Sequence, residues 1–104
     1  ISEGIFVGAN TFLGPKTKIG KGSIINTGSI IEHGTKIGEF TNINPNTVLC
    51  GNVSVGSRCF LGASSTVIDK LKIVDNVLIA AGSVVIKNIE IEYTRERGVP
   101  SESW

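Results

Sequence analysis

The sequence predicts an all-β protein, a single-stranded parallel β-helix built from hexapeptide repeats. Three observations carry that prediction. Every sixth residue from Ile1 to Ile91 is Ile, Leu or Val, sixteen positions with no insertion. Ten of the fifteen residues three places after these aliphatics are Gly or Asn: Gly4, Asn10, Gly22, Gly28, Gly34, Asn46, Asn52, Asn76, Gly82 and Asn88. The residue four places after is usually small, as at Thr11, Thr17, Ser23, Ser29, Thr35, Thr41, Thr47, Cys59, Ser65 and Ser83. Neither a helical period of 3.6 nor a strand period of 2 holds a six-residue phase over such a length. One aliphatic per fixed unit is the mark of a solenoid.

Each column has a physical reason. The aliphatic points inward and its neighbours in the strand point outward, because side chains alternate along extended backbone. The small residue suits an inward place near a narrow axis. Gly and Asn tolerate positive φ most easily, so their column is where the chain turns a corner. One short strand and one corner per six residues give a triangular coil of eighteen residues, with strands stacked about 4.8 Å apart. About five coils are expected over residues 1–90, followed by a tail at 91–104. In the tail, Tyr93 to Arg97 is charged and Gly98-Val99-Pro100 reads as a turn. Ser101 to Trp104 is expected to be disordered.

The 104 residues allow one domain, and a net charge of +1 with mixed signs implies no nucleic-acid or membrane partner. The longest apolar run, residues 77–86, is broken by Gly82 and Ser83 and is too short to span a bilayer. No signal peptide is visible. The chain has no methionine, even at position 1, and is expected to be a fragment or one domain of a longer protein. Cys50 and Cys59 fall at different phases of the repeat, so they are expected to stay reduced, in a cytoplasmic setting.

The outward residues before the aliphatics sort by face. One face shows Phe6, Ile24, Asn42, Phe60 and Leu78; the next shows Phe12, Ile30, Val48, Thr66 and Val84. The third is charged, with Lys18, Lys36, Ser54, Lys72 and Glu90. Apolar stripes of that size rarely stay in water. Two sticky faces on a triangular prism close as a homotrimer, one face packing on the other face of a neighbour.

His33, the only histidine, sits two residues after Ile31, at the corner between the second apolar face and the lysine face. In a trimer that corner is the rim of the subunit interface, where the neighbour's Asn26 and Asn42 approach. Its side chain alone titrates near neutral pH unperturbed, which makes it the first candidate for proton transfer. A zinc site of the carbonic-anhydrase type needs three histidines, which a single histidine per chain disfavours, so no metal is expected.

Asn26 to His33, then Ile37-Gly38-Glu39-Phe40 and Leu49-Cys50-Gly51-Asn52-Val53, resemble the hexapeptide-repeat acyltransferases. The likeness is to the sialic-acid O-acetyltransferase type and, equally, to bacterial nucleotide-sugar N-acetyltransferases. The resemblance implies a left-handed helix, acetyl-CoA as donor, a sugar or nucleotide-sugar acceptor, and a trimer with three inter-subunit sites. By that resemblance His33 is the general base and Glu32 a candidate to orient it. Gly51 and Asn42 would bind the donor, with the Gly51 N–H on the thioester oxygen, and Asn26 would lie near the acceptor. Gly51 follows His33 by eighteen residues, so stacking independently places it one coil above. The chain departs from the family pattern at Gly34, where an acid is common, at Asn42, where a second histidine is frequent, and at Pro100-Ser101-Glu102. The expected function is acetyl transfer to a sugar amine or hydroxyl. The alternative is a non-catalytic trimerising β-helix module.

Overall fold

The computed structural model describes residues 3–104, and Ile1, the first member of the aliphatic column, lies outside them. Fourteen two-residue strands recur every six residues, and each pairs in parallel with the strand eighteen residues away. The first face stacks β1 (Phe6–Val7), β4 (Ile24–Ile25), β7 (Asn42–Ile43), β10 (Phe60–Leu61) and β13 (Leu78–Ile79). The second stacks β2 (Phe12–Leu13), β5 (Ile30–Ile31), β8 (Val48–Leu49), β11 (Thr66–Val67) and β14 (Val84–Val85). The third stacks β3 (Lys18–Ile19), β6 (Lys36–Ile37), β9 (Ser54–Val55) and β12 (Lys72–Ile73). The result is a β-solenoid of about five turns, as the period predicts.

The aliphatic column from Ile19 to Val85 fills the axis and is buried at every rung. The small column is buried beside it and does more than save space. Ser23 Oγ donates to Gly38 O at 2.8 Å, Ser29 Oγ to Asn44 O at 3.0 Å, and Thr35 Oγ1 to Cys50 O at 3.1 Å. Thr41 Oγ1 donates to Gly56 O at 2.6 Å and Cys59 Sγ to Val74 O at 3.1 Å. Each of these five groups thus satisfies a corner carbonyl of the next coil, whereas Ser65 Oγ in the same column is buried without a partner.

Left-handed backbone recurs without exception at every sixth residue from Gly4 to Gly82. It includes Lys16, Phe40, Arg58, Ser64 and Lys70, none of which favours that region. At those corners the pairing of the coils overrides local preference.

The pattern ends earlier than its sequence period. Asn88 has no left-handed φ; instead its Oδ1 accepts from Lys72 N at 2.8 Å, and Ile89 bridges Ile73. Four residues, not six, separate Val85 from the next core aliphatic, because the corner is replaced by this side-chain cap. Ile89 is buried in the place expected for Ile91, which is 75% exposed, and Glu90 does not join the lysine column. The tail then returns to the first face. β15 (Arg95–Arg97) pairs in parallel with β13, and β16 (Glu102–Ser103) pairs antiparallel with β15. Ser101 to Trp104, expected to be disordered, is therefore ordered. Trp104 N donates to Arg95 O at 3.1 Å, and the guanidinium groups of Arg95 and Arg97 each stand 4.9 Å from the Trp104 ring.

Candidate functional site

The turn that carries His33 is pinned from both sides. Gly34 N donates to Pro15 O below at 3.0 Å, while Asn52 N above donates to His33 O at 2.8 Å. Glu32 N donates to Leu49 O at 2.9 Å. Gly34 takes a φ of 70° at this corner, and the Asn52 Oδ1 occupies the space a Cβ there would need. An acidic side chain directly after the histidine would have to displace that amide.

The imidazole is exposed to solvent but not free to lie anywhere. It folds over Gly51, one coil up: a Cβ on Gly51 would stand 2.6 Å from Cε1 and 2.8 Å from Nε2 of His33. Only glycine leaves that space. Gly51 is itself buried, and its N–H donates no hydrogen bond among the described residues, although Asn52 beside it donates to His33 O. An unpaired amide beside an imidazole is a donor and a proton acceptor side by side. That pairing suits chemistry in which an oxygen gains negative charge as a nearby group loses a proton.

The other sequence candidates stand elsewhere on a single chain. The Glu32 carboxylate makes no hydrogen bond to the imidazole; its charge is felt at Cys50, stacked above it. Burial raises the Cys50 thiol first, with Asp69 and then Glu32 adding to the effect. Cys59 is likewise raised, mainly by burial. Both cysteines are free. Neither has the stabilised thiolate of a nucleophile. Asn26 Oδ1 accepts from its neighbour Thr27 N at 2.8 Å, at the corner between the two apolar faces. It does not pair with Asn44, whose Nδ2 donates to Leu61 O at 2.9 Å. Asn42, on the first face between Ile24 and Phe60, keeps a buried Oδ1 without a partner. One protomer therefore brings His33 and Gly51 together and leaves Asn26 and Asn42 apart from them. A concave surface of about 350 Å³, lined by Ser54, Lys72, Asp75 and Glu92 among others, does not include His33. No group of three or more metal-binding side chains occurs among the described residues.

Known proteins resemble this architecture. Residues 34–69 match the bacterial transferase hexapeptide family of six repeats. A histidine-to-alanine mutant of GDP-perosamine N-acetyltransferase from Caulobacter crescentus, solved with CoA and GDP-perosamine, is 28% identical with a TM-score of 0.88, over 97% of this chain and 50% of that one. The chain thus carries the hexapeptide repeat of that family over residues 34–69 and shares the fold of that enzyme. A maltose O-acetyltransferase from Clostridium difficile 630 shares the fold, with a TM-score of 0.74 at 21% identity over 98% of this chain and 68% of that one. The bifunctional protein GlmU of Latilactobacillus sakei is 52% identical over 40 residues, 38% of this chain and 8% of that protein. The chain thus spans half the length of the Caulobacter enzyme and matches a small part of GlmU.

Counting by eighteen placed Gly51 over His33, as the structure has it, but the contacts of Asn52 and Thr35 with this turn were passed over. Both could have been found by counting: Asn52 lies eighteen residues after Gly34, and Cys50 lies fifteen after Thr35, the spacing at which Ser23, Ser29 and Thr41 also hold a carbonyl of the next coil.

Proposed function

We propose that this chain carries the acetyl-transfer site of an enzyme that moves an acetyl group from acetyl-CoA to an amine or hydroxyl of a nucleotide-linked sugar. The observation that carries the reading is the His33 imidazole lying over Gly51, whose amide is unpaired. An imidazole nitrogen takes the acceptor's proton as the acceptor's lone pair attacks the thioester carbonyl carbon. The Gly51 N–H donates to the carbonyl oxygen as that oxygen gains charge. When the carbon–sulfur bond breaks, the sulfur leaves with its electron pair and recovers the proton from the imidazolium. The products are the acetylated sugar and the free thiol of CoA. No cysteine is used.

The site is completed in a homotrimer. Phe6, Phe12, Phe60, Ile24, Ile30 and Leu78 stand at least a third exposed on two adjacent faces, and the third face carries the lysines. Packing the first face of one copy on the second of another brings that copy's Asn26 and Asn42 to the rim where His33 stands. Asn26 then contacts the acceptor and Asn42 the donor, while Glu32 balances the charge of the imidazolium. No helix of the described residues is long and apolar enough to cross a membrane, and a cytoplasmic setting suits an enzyme using acetyl-CoA and keeping both cysteines reduced.

The test is His33→Ala in the full-length protein, assayed for acetyl transfer to an amino-sugar nucleotide. Turnover should fall by about 10²–10⁴, the range of a lost general base. Retention of more than about a third of wild-type kcat would remove His33 from the mechanism. The competing reading, an inert trimerising module, draws on the absence of an acid bonded to the imidazole. Thermal denaturation with acetyl-CoA separates the two, since a donor site raises the melting temperature and an inert scaffold does not respond.

A further inference from the structure

We propose that Thr35 is a positioning residue for the acyl transfer, fixing the Cys50–Gly51 peptide so that the Gly51 N–H faces out of the coil beside His33. The inference rests on the reading of function given above. Thr35 is fully buried, and its hydroxyl clamps both ends of the turn that bears Gly51: Oγ1 donates to Cys50 O at 3.1 Å and accepts from Val53 N at 3.3 Å. The Cys50–Gly51 bond is trans, and in a planar trans peptide the C=O and N–H point in opposite directions. Holding the carbonyl inward on Thr35 therefore aims the amide of Gly51 outward.

The same clamp recurs at two other corners, which shows what is different here. Ser23 Oγ holds Gly38 O and accepts from Thr41 N; Thr41 Oγ1 holds Gly56 O and accepts from Cys59 N. In both, the outward amide of the clamped peptide is already paired with a side chain of the next coil. Glu39 N donates to Ser57 Oγ at 2.9 Å, and Ser57 N donates to Asp75 Oδ1 at 2.8 Å. The equivalent amide at Gly51 has no such partner, and Asp69, which stands where Asp75 stands for Ser57, does not take it. The amides of Ala63 and Asp75, which follow the carbonyls held by Thr47 and Cys59, also donate no hydrogen bond among the described residues, so what sets Gly51 apart is a free donor next to the imidazole.

Three variants and one direct readout test this in the full-length enzyme. Thr35→Val keeps the shape and removes the hydroxyl; kcat should fall about tenfold or more, part of the 10²–10³ that an oxyanion donor contributes. KM for acetyl-CoA should stay within about twofold, because the aim of the donor matters in the transition state and not in binding. Thr35→Ser should restore kcat to within about twofold of wild type. Ser23→Ala, which breaks the matching clamp at Gly38, should lower the melting temperature as Thr35→Val does and leave kcat unchanged. Thr35→Val with near-wild-type kcat, or Ser23→Ala with an equal loss, overturns the proposal. Should Thr35→Val not fold, Thr35→Ala removes the hydroxyl without a branched replacement; wild-type kcat in that variant overturns it too. Amide hydrogen exchange at Gly51, followed by NMR, gives an answer independent of turnover. Its protection should change in Thr35→Val and return in Thr35→Ser. If the wild-type protein transfers no acetyl group, the reading of function fails. If the Gly51 amide is indifferent to residue 35, the positioning role fails.

Discussion

Gly51→Ala puts one methyl group where the imidazole lies, and its effect can be worked from the structure. The new Cβ would sit 2.6 Å from His33 Cε1. Comfortable carbon–carbon contact needs about 3.5–4.0 Å, so the ring must retreat by roughly 1 Å. Gly51 is not among the residues with left-handed φ, so alanine fits the backbone and the conflict falls on the ring alone. The ring is exposed and makes no side-chain hydrogen bond among the described residues, so it can rotate away at a cost of about 0.5–1.5 kcal/mol. A 1 Å misplacement of a reacting group costs about 10²-fold in rate. Gly51→Ala should therefore lower kcat about a hundredfold while the unfolding free energy changes by no more than about 1.5 kcal/mol. Steady-state acetyl transfer and thermal denaturation read the two quantities. The sharper control is the double variant. If the methyl acts by displacing the imidazole, Gly51→Ala should do nothing more once His33→Ala has removed it. Independent, multiplying losses in the double variant would refute the reasoning, as would Gly51→Ala with wild-type kcat.

Two further expectations concern assembly and pH. Phe60→Glu with Val48→Glu puts a charge on each apolar face, and analytical ultracentrifugation should show the trimer dissociating; a wild-type monomer at micromolar concentration would remove the interface on which the complete site depends. Burial, the first of the causes, pushes the Cys50 and Cys59 thiols above their ordinary value, so the folded state favours the neutral form. Their contribution to stability is complete below pH 9 and is lost as pH rises from 9 towards the folded-state pKa values. The melting temperature of the wild type should fall more steeply above pH 9 than that of Cys50→Ala with Cys59→Ala, and parallel curves would contradict this.

The sequence period made the solenoid legible because one physical rule, an aliphatic at the axis, acts at every rung. It made the three faces legible down to their register: Phe6 over Ile24 over Asn42 follows from counting eighteen. It failed where the chain stops obeying the period although its residues continue to match it. Ile91 is in phase and exposed; Ile89 is out of phase and buried. What decided between them was Asn88 capping Lys72 N, a side-chain bond that no column statistic reveals. The order in Ser101 to Trp104 was hidden for a similar reason, since it depends on Arg95 and Arg97 meeting Trp104 across a hairpin. At the site, stacking put Gly51 above His33 correctly. That the ring folds onto Gly51, that Asn52 fills the space beside Gly34, and that Glu32 is felt at Cys50 are matters of side-chain direction.

A parallel β-helix has a problem that a barrel does not: its last coil shows rows of unpaired backbone groups to solvent, a template for another strand. Here each row is taken. On the first face β15 covers β13 and β16 then runs the opposite way, so a parallel strand no longer finds its match. On the second, Val84 N donates to Gly98 O, and Ser101 N donates back to Val84 O. On the third, Asn88 and Ile89 close over Lys72 and Ile73. The shortened final turn also breaks the eighteen-residue phase that any added coil would need. The tail thus works as a stopper against end-to-end growth, the step by which stacked in-register strands become fibres. It leaves the flat sides as the surfaces on which copies can meet.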